Sequence, residues 1–261
     1  MSTTVPTHHD RTFDVSGTPR VPFPRLVQVE MRKMGDTRAG AWLLALTVVV
    51  VVIAIVAVAW SNRDGGAPFL AYLLSTLVPL NFLLPVLGVL LVTGEWGQRT
   101  TLTTFALEPS RMRIMAAKIA AGLLYALIGT VIAVAVASLA TLALGSDDAW
   151  ADATTALFVN LVVMLVVVVL QGIGFGALLL SSPGAIVSLF ALPIVFTIVL
   201  SFAPGFADNQ GWVDLSVAQT ALMDNTWPSG KEWSQFATSG TLWMLVPMVL
   251  GLIRIRRMEI K

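Results

Sequence analysis

Five uninterrupted apolar runs divide the chain, Ala41–Trp60, Phe69–Thr93, Ile119–Leu144, Ala156–Leu180 and Gly184–Ala203, and a shorter sixth follows at Ala237–Ile253. A helix needs about 20 apolar residues to cross a hydrocarbon core of about 30 Å, so each run is long enough, or nearly so, for one crossing. The runs are continuously apolar rather than alternating, which excludes a membrane β-barrel. The pattern predicts an all-α polytopic membrane protein with six transmembrane helices. Forty mostly polar residues precede the first run, which is itself longer than the roughly 7–15 apolar residues of a signal-peptide core, so it is expected to stay as an anchor.

The polar segments between the runs have characters of their own. Residues 1–21 carry Thr, Ser, Pro, Gly and the pair His8–His9 with little to bury, and are expected to form a flexible cytoplasmic tail. Residues 22–261 then form one six-span membrane domain. From Pro22, Phe23, Leu26, Val27 and Met34 fall at i, i+3, i+4 and i+11, one helical face that Glu30 interrupts at i+7. This reads as a short amphipathic helix at the inner membrane face, with Arg25, Arg32 and Lys33 toward the headgroups. The competing reading makes these residues the polar first turns of span 1.

Between spans 2 and 3 lies GEWGQRTTLTTFALEPSRMRIMAAK, Gly94–Lys118, with Leu102, Phe105 and Ala106 at i, i+3 and i+4 among threonines and arginines. It predicts a short helix over Arg99–Leu107, ended by Pro109, with Ser110 placed to cap the next helix. A helix this short gains most by docking into a groove. Alternatively its cations hold it against anionic lipid. The remaining long segment, Pro204 to about Phe236, contains Trp212, Trp227 and Trp233, and part of it either rests at the outer interface or folds back over the pore.

Composition and charge sharpen this picture. With 56% hydrophobic and 12% charged residues, the chain is too apolar for a soluble domain. Six of its 16 Lys and Arg precede span 1, four lie between spans 2 and 3, and four follow span 6; only Arg63 and Lys231 fall elsewhere. The positive-inside rule then places both termini and the 94–118 loop in the cytoplasm, for a multi-pass protein of the inner (plasma) membrane. No nucleic-acid partner is expected.

Several chemistries are disfavoured. There are no cysteines for disulfides or thiolate metal sites, and the only two His lie in the tail, so no His-based dyad or HExxH zinc site forms in the membrane; neither catalytic nor metal-binding residues are expected. No Asp, Glu, His, Arg or Lys sits well inside a span. Glu95 and Lys118 lie at the cytoplasmic margins, which counts against an ion-driven carrier. The nearest echo of a GxxxxGK[ST] phosphate loop, NTWPSGKEW, has Asn225 and Glu232 at the positions that matter. GIGFG, Gly172–Gly176, lies mid-span and reads as close helix packing. Asn81, Asn160 and Gln171 enter the bilayer and need partners, either across helices or along a substrate pathway. Pro79 and Pro85 are expected to kink their span.

The order in Gly94–Lys118, a glutamate after span 2, then Arg-Thr, then Pro-x-Arg, then Ala-Lys entering span 3, resembles the cytoplasmic loop of ABC-2 type permeases, the membrane subunits of type-V-like ABC exporters. The topology from residue 22 onward resembles that family too, while Arg99-Thr100 stands where many members have Gly-Thr. The resemblance implies a permease subunit of an ATP-driven exporter of a hydrophobic or amphiphilic substrate. It implies two ATP-binding partner subunits that carry the ATP and magnesium, no cofactor on this chain, and a second permease, identical or paralogous. It implies that Glu95, Arg99, Thr100, Thr101, Leu102, Phe105 and Arg111 make or support the contact with the ATPase. An ATP-independent membrane scaffold or immunity-type protein, or a secondary transporter, are the alternatives.

Overall fold

The computed structural model describes residues 21–97, 108, 110–203 and 205–258. The expected tail and the expected short helix at Arg99–Leu107 lie outside them. The described chain begins with α1, Phe23–Asp36, and continues through α2, Arg38–Ser61; α3, Phe69–Gly97; α4, Arg111–Leu144; α5, Thr155–Leu179; and α6, Ser182–Ser201. After short helical turns at Ala207–Trp212, α7 (Leu215–Ala218) and Thr220–Leu222, α8 (Gly230–Gly240), a wide π turn (Thr241–Leu245) and α9 (Val246–Arg257) form one composite rod. Among the described residues six helices are long and apolar enough to cross a membrane: α2 to α6 and this rod. The protein is an all-α membrane protein.

The bundle is built around α3 and α5, whose apolar windows are 61% buried, whereas that of α2 is not buried at all and presents its apolar surface outward. The small residues of α5 explain its central place. A Cβ on Gly172 would overlap the Pro85 carbonyl of α3, and one on Gly88 would overlap the Val169 carbonyl of α5. The two backbones therefore touch, as the GIGFG motif predicts. Gly174, on another face, lies against Met244 and Met248 of the composite rod. Pro79 and Pro85 sit inside α3. In the rod, Pro247 cannot donate to the Trp243 carbonyl, and the π turn immediately before it absorbs that break.

Two span starts differ most from expectation, for local reasons. The last rod begins at Gly230 rather than Ala237, because Ser229 and Glu232 form a reciprocal capping box. The apparent phosphate-loop echo is this helix start. The third span begins at Arg111 rather than Ile119, because the polar residues before Ile119 find partners within the fold. Ser110 stands at its N-cap position without a side-chain cap bond; the Glu108 carboxylate instead accepts from the Ser110 N–H.

At the end of the bundle away from α1, the long segment is folded onto the helices. The Asn160 amide donates to the Thr226 carbonyl at 3.0 Å, Thr197 to the Asp214 carboxylate at 2.9 Å, and the Trp243 indole to the Val213 carbonyl at 2.6 Å. Asn225 bridges to Asp152 at 2.7 Å and accepts from Thr154. Trp227 stays exposed.

Candidate functional site

The functional candidate lies at the opposite end, where α1, α3 and α4 meet. α1 buries Val27, Glu30 and Met34, at i, i+3 and i+7. The glutamate that interrupts the apolar stripe in the sequence is thus the centre of the buried face. Its carboxylate meets the Lys118 ammonium of α4 at 2.6 Å and the Lys33 ammonium at 2.7 Å. Glu95, near the end of α3, receives Lys33 at 2.5 Å and Lys118 at 3.3 Å. Lys118 also donates to the Leu91 carbonyl at 2.9 Å, filling its donor capacity. Two carboxylates and two ammoniums alternate, and their charges cancel.

Burial gives this tetrad its significance. Lys118 is 1% exposed, Glu30 4% and Glu95 5%. Charges so removed from water are tolerated only when paired and hydrogen-bonded. Lys33 is half-exposed; burial works to lower its pKa, and the Glu30 and Glu95 carboxylates outweigh that, holding the ammonium above the usual lysine range. This corrects the expectation that Lys33 points to the headgroups. Glu95 and Lys118 sit near the ends of their spans, as the sequence places them, and are buried inside the protein.

The tetrad also holds Glu95, near the end of α3, against α1 and α4. A second set of bonds holds Glu108 and the start of α4. Glu108 pairs with Arg113 at 2.6 Å, and Arg113 donates to the Val21 carbonyl at the start of α1. Arg111 donates to the Ile255 and Met258 carbonyls at the end of α9. The described residues on either side of 98–107 are thus tied to α1, α4 and α9. The bend from α1 into α2 is equally tight: Thr37 caps α2 through the Gly40 N–H, and any Cβ on Gly40 would overlap the Met34 carbonyl.

Of the residues expected to contact a partner, Glu95 and Arg111 therefore serve as anchors within the chain, while Arg99, Thr100, Thr101, Leu102 and Phe105 lie outside the described residues. The sequence reading passed over Glu30, Lys33, Glu108 and Arg113. The available signal was a lone acid on the apolar face of α1 together with opposite charges at the facing ends of two spans. The three amides do not converge on one site. Asn160, Met164 and Gln171 follow one stripe of α5, and Asn81 of α3 reaches the Met164 sulfur at 3.8 Å. Asn160 anchors the folded segment at the far end, and Gln171 is half-buried beside Gly172.

Two cavities lie between these helices, the first lined by all four tetrad residues and the second by none of them. One, of about 970 Å³, opens between α1, the start of α2 and the ends of α3 and α4; the other, of about 360 Å³, lies deeper between α2, α3 and α4. Neither touches the three amides. Among the described residues no cluster of His, Asp or Glu could hold a metal ion. No protein-family model matches the chain, and no curated protein matches it.

Proposed function

We propose that the chain is the membrane-spanning permease subunit of an ATP-driven transporter of the ABC-2 kind, exporting a hydrophobic or amphiphilic substrate. Two copies of a separate ATP-binding subunit would dock on the 94–118 loop, and a second permease would complete the pathway. The observation that carries this reading is the bracketing of that loop. Ion pairs and carbonyl bonds tie both of its ends to α1, α4 and α9, so a displacement of the loop would be passed to three helices rather than absorbed by a slack linker. Six spans, a charged helix ahead of the first, and both ends of the described chain at the tetrad end are consistent with it. The charge distribution supports a cytoplasmic position for that end, in the inner membrane.

The test is capture of the ATPase by membranes carrying the double change Leu102→Ser and Phe105→Ser. Burying two such side chains in a partner contributes about 1.5–3 kcal/mol each, so their loss should weaken docking at least about tenfold while insertion is unchanged. Retained capture, with loss only on removing Arg99 or on adding salt, would leave the loop as a lipid-facing connector. The buried tetrad is the one feature that favours an ion-coupled carrier. Its four charges are mutually matched, whereas a carrier needs a group that changes partner during transport. Transport that collapses with the proton gradient while ATP remains would decide for the carrier.

A further inference from the structure

We infer that the cavity lined by the tetrad and the deeper cleft form one binding site for a glycerophospholipid, with the phosphodiester headgroup in the larger cavity and an acyl chain in the deeper cleft. The cavities follow each other along the same helix faces. Ala39 on α2 and Leu91 on α3 line the first; Leu43 and Leu87, each one helical turn further in, line the second. Tyr125 lines the deeper cleft and fixes the boundary, since its hydroxyl donates to the Met31 carbonyl of α1 at 2.7 Å.

The chemistry of the walls changes at that boundary. In the larger cavity Glu30 and Glu95 are neutralised by Lys33 and Lys118, and Glu108 by Arg113. That leaves Arg25 and Arg38, which make no ion pair among the described residues, facing one further acid, Asp36. With Glu108 neutralised by Arg113 from outside the lining, two guanidiniums without ion pairs stand against one carboxylate, and their paired N–H groups match a phosphate diester. The deeper cleft is apolar, and the hydroxyls of Thr47 and Thr76 in its wall already donate to the Leu43 and Leu73 carbonyls of their own helices. Such a space offers water no partners and takes hydrocarbon readily. The lining residues Val48 and Val52 of α2 and Ile128 and Ile132 of α4 are exposed on the apolar outer surface, so the cleft opens toward the bilayer. The volumes, about 970 and 360 Å³, are those of small-molecule sites rather than of a protein interface.

The experiment measures phospholipid retained by the full-length chain in mild detergent, by native mass spectrometry and by phosphate assay after extraction. The unaltered chain should carry a mass adduct of one phospholipid, and its absence overturns the proposal whatever the variants do. Arg25→Gln with Arg38→Gln should lower retention about tenfold at equal added lipid, and Thr47→Phe with Val51→Phe, which fills the cleft, should do the same. Val131→Phe, on the outward surface of α4, should retain the adduct. Three results would refute the site. In one, glycerophosphate displaces the adduct as well as a diacyl lipid does, which makes it an anion site alone. In another, the cleft-filling pair keeps its lipid. In the third, that pair loses self-association with lipid unchanged, which makes the cleft an interface between two copies.

Discussion

Replacing Lys118 by Met keeps much of the side chain's length and removes only the ammonium, and the structure allows the consequence to be worked out. At an effective dielectric constant of about 20, the 2.6 Å contact with Glu30 and the 3.3 Å contact with Glu95 correspond to about 6 and about 5 kcal/mol of attraction. Burying the ions offsets much of this, at several kcal/mol each. What remains after the change is two carboxylates, both nearly inaccessible, sharing the single ammonium of Lys33. Removing one partner from such a buried set costs about 3–5 kcal/mol. At about 2–4 °C per kcal/mol for a chain of this size, Lys118→Met should lower the melting temperature by roughly 6–20 °C, read from intrinsic fluorescence in detergent. Lys33→Met should lower it less, because water reaches the position it vacates. Adding Glu30→Gln to Lys118→Met restores charge balance between Lys33 and Glu95 and should recover part of the loss. A double variant no more stable than the single one would refute the matched-tetrad reasoning.

Gly172→Val should destabilise by about 1–3 kcal/mol, since the new side chain must push aside the Pro85 backbone, whereas Gly94→Ala, with open space around it, should be neutral or stabilising in the same melt. The Lys33 contribution has a defined pH dependence. Its folded pKa lies above the unfolded value, so the contribution is fully present below about pH 10 and is lost only as the pH rises through the folded value. The gap in melting temperature between the protein and Lys33→Met should therefore stay constant from about pH 6 to 9. In whole cells, Cys at the exposed Asp148 should react with a membrane-impermeant thiol reagent and Cys at Gln98 should not, with no background because the chain has no native cysteine; the reverse pattern would invert the orientation.

The fold was legible wherever one physical demand dominated. A continuous apolar run satisfies its own backbone only as a helix, so the cores of all six spans follow from hydropathy alone. GIGFG was equally readable, because glycine at that spacing in an apolar helix has packing as its main use. Boundaries were harder, since hydropathy stops where polarity starts and a helix does not. Arg111, Arg113 and Lys118 extend α4 well beyond its apolar run because each finds a carbonyl or carboxylate on another element. The Ser229–Glu232 box was visible in the letters, but its resemblance to a phosphate loop drew attention first.

The candidate site was legible in its parts and not in its assembly. Glu30 marks an apolar stripe as interrupted when the stripe is read along one helix; only the position of Lys118, 88 residues later, turns the interruption into the point the stripe is organised around. Sequence periodicity describes one helix at a time, while the tolerance of a buried charge depends on a partner from another helix. The same logic separates the roles within Gly94–Lys118. Glu95, Glu108, Arg111 and Arg113 are committed to contacts inside the chain, and charges so engaged are poor candidates for recognising a partner. The burden of docking then falls on the apolar residues Leu102 and Phe105. Serine substitution there and methionine substitution at Lys118 should consequently separate two failures: loss of partner capture with the melting temperature kept, and loss of melting temperature with the docking side chains intact. If both variants lost both properties together, the loop and its anchors would be one cooperative unit rather than a docking surface on a rigid mount.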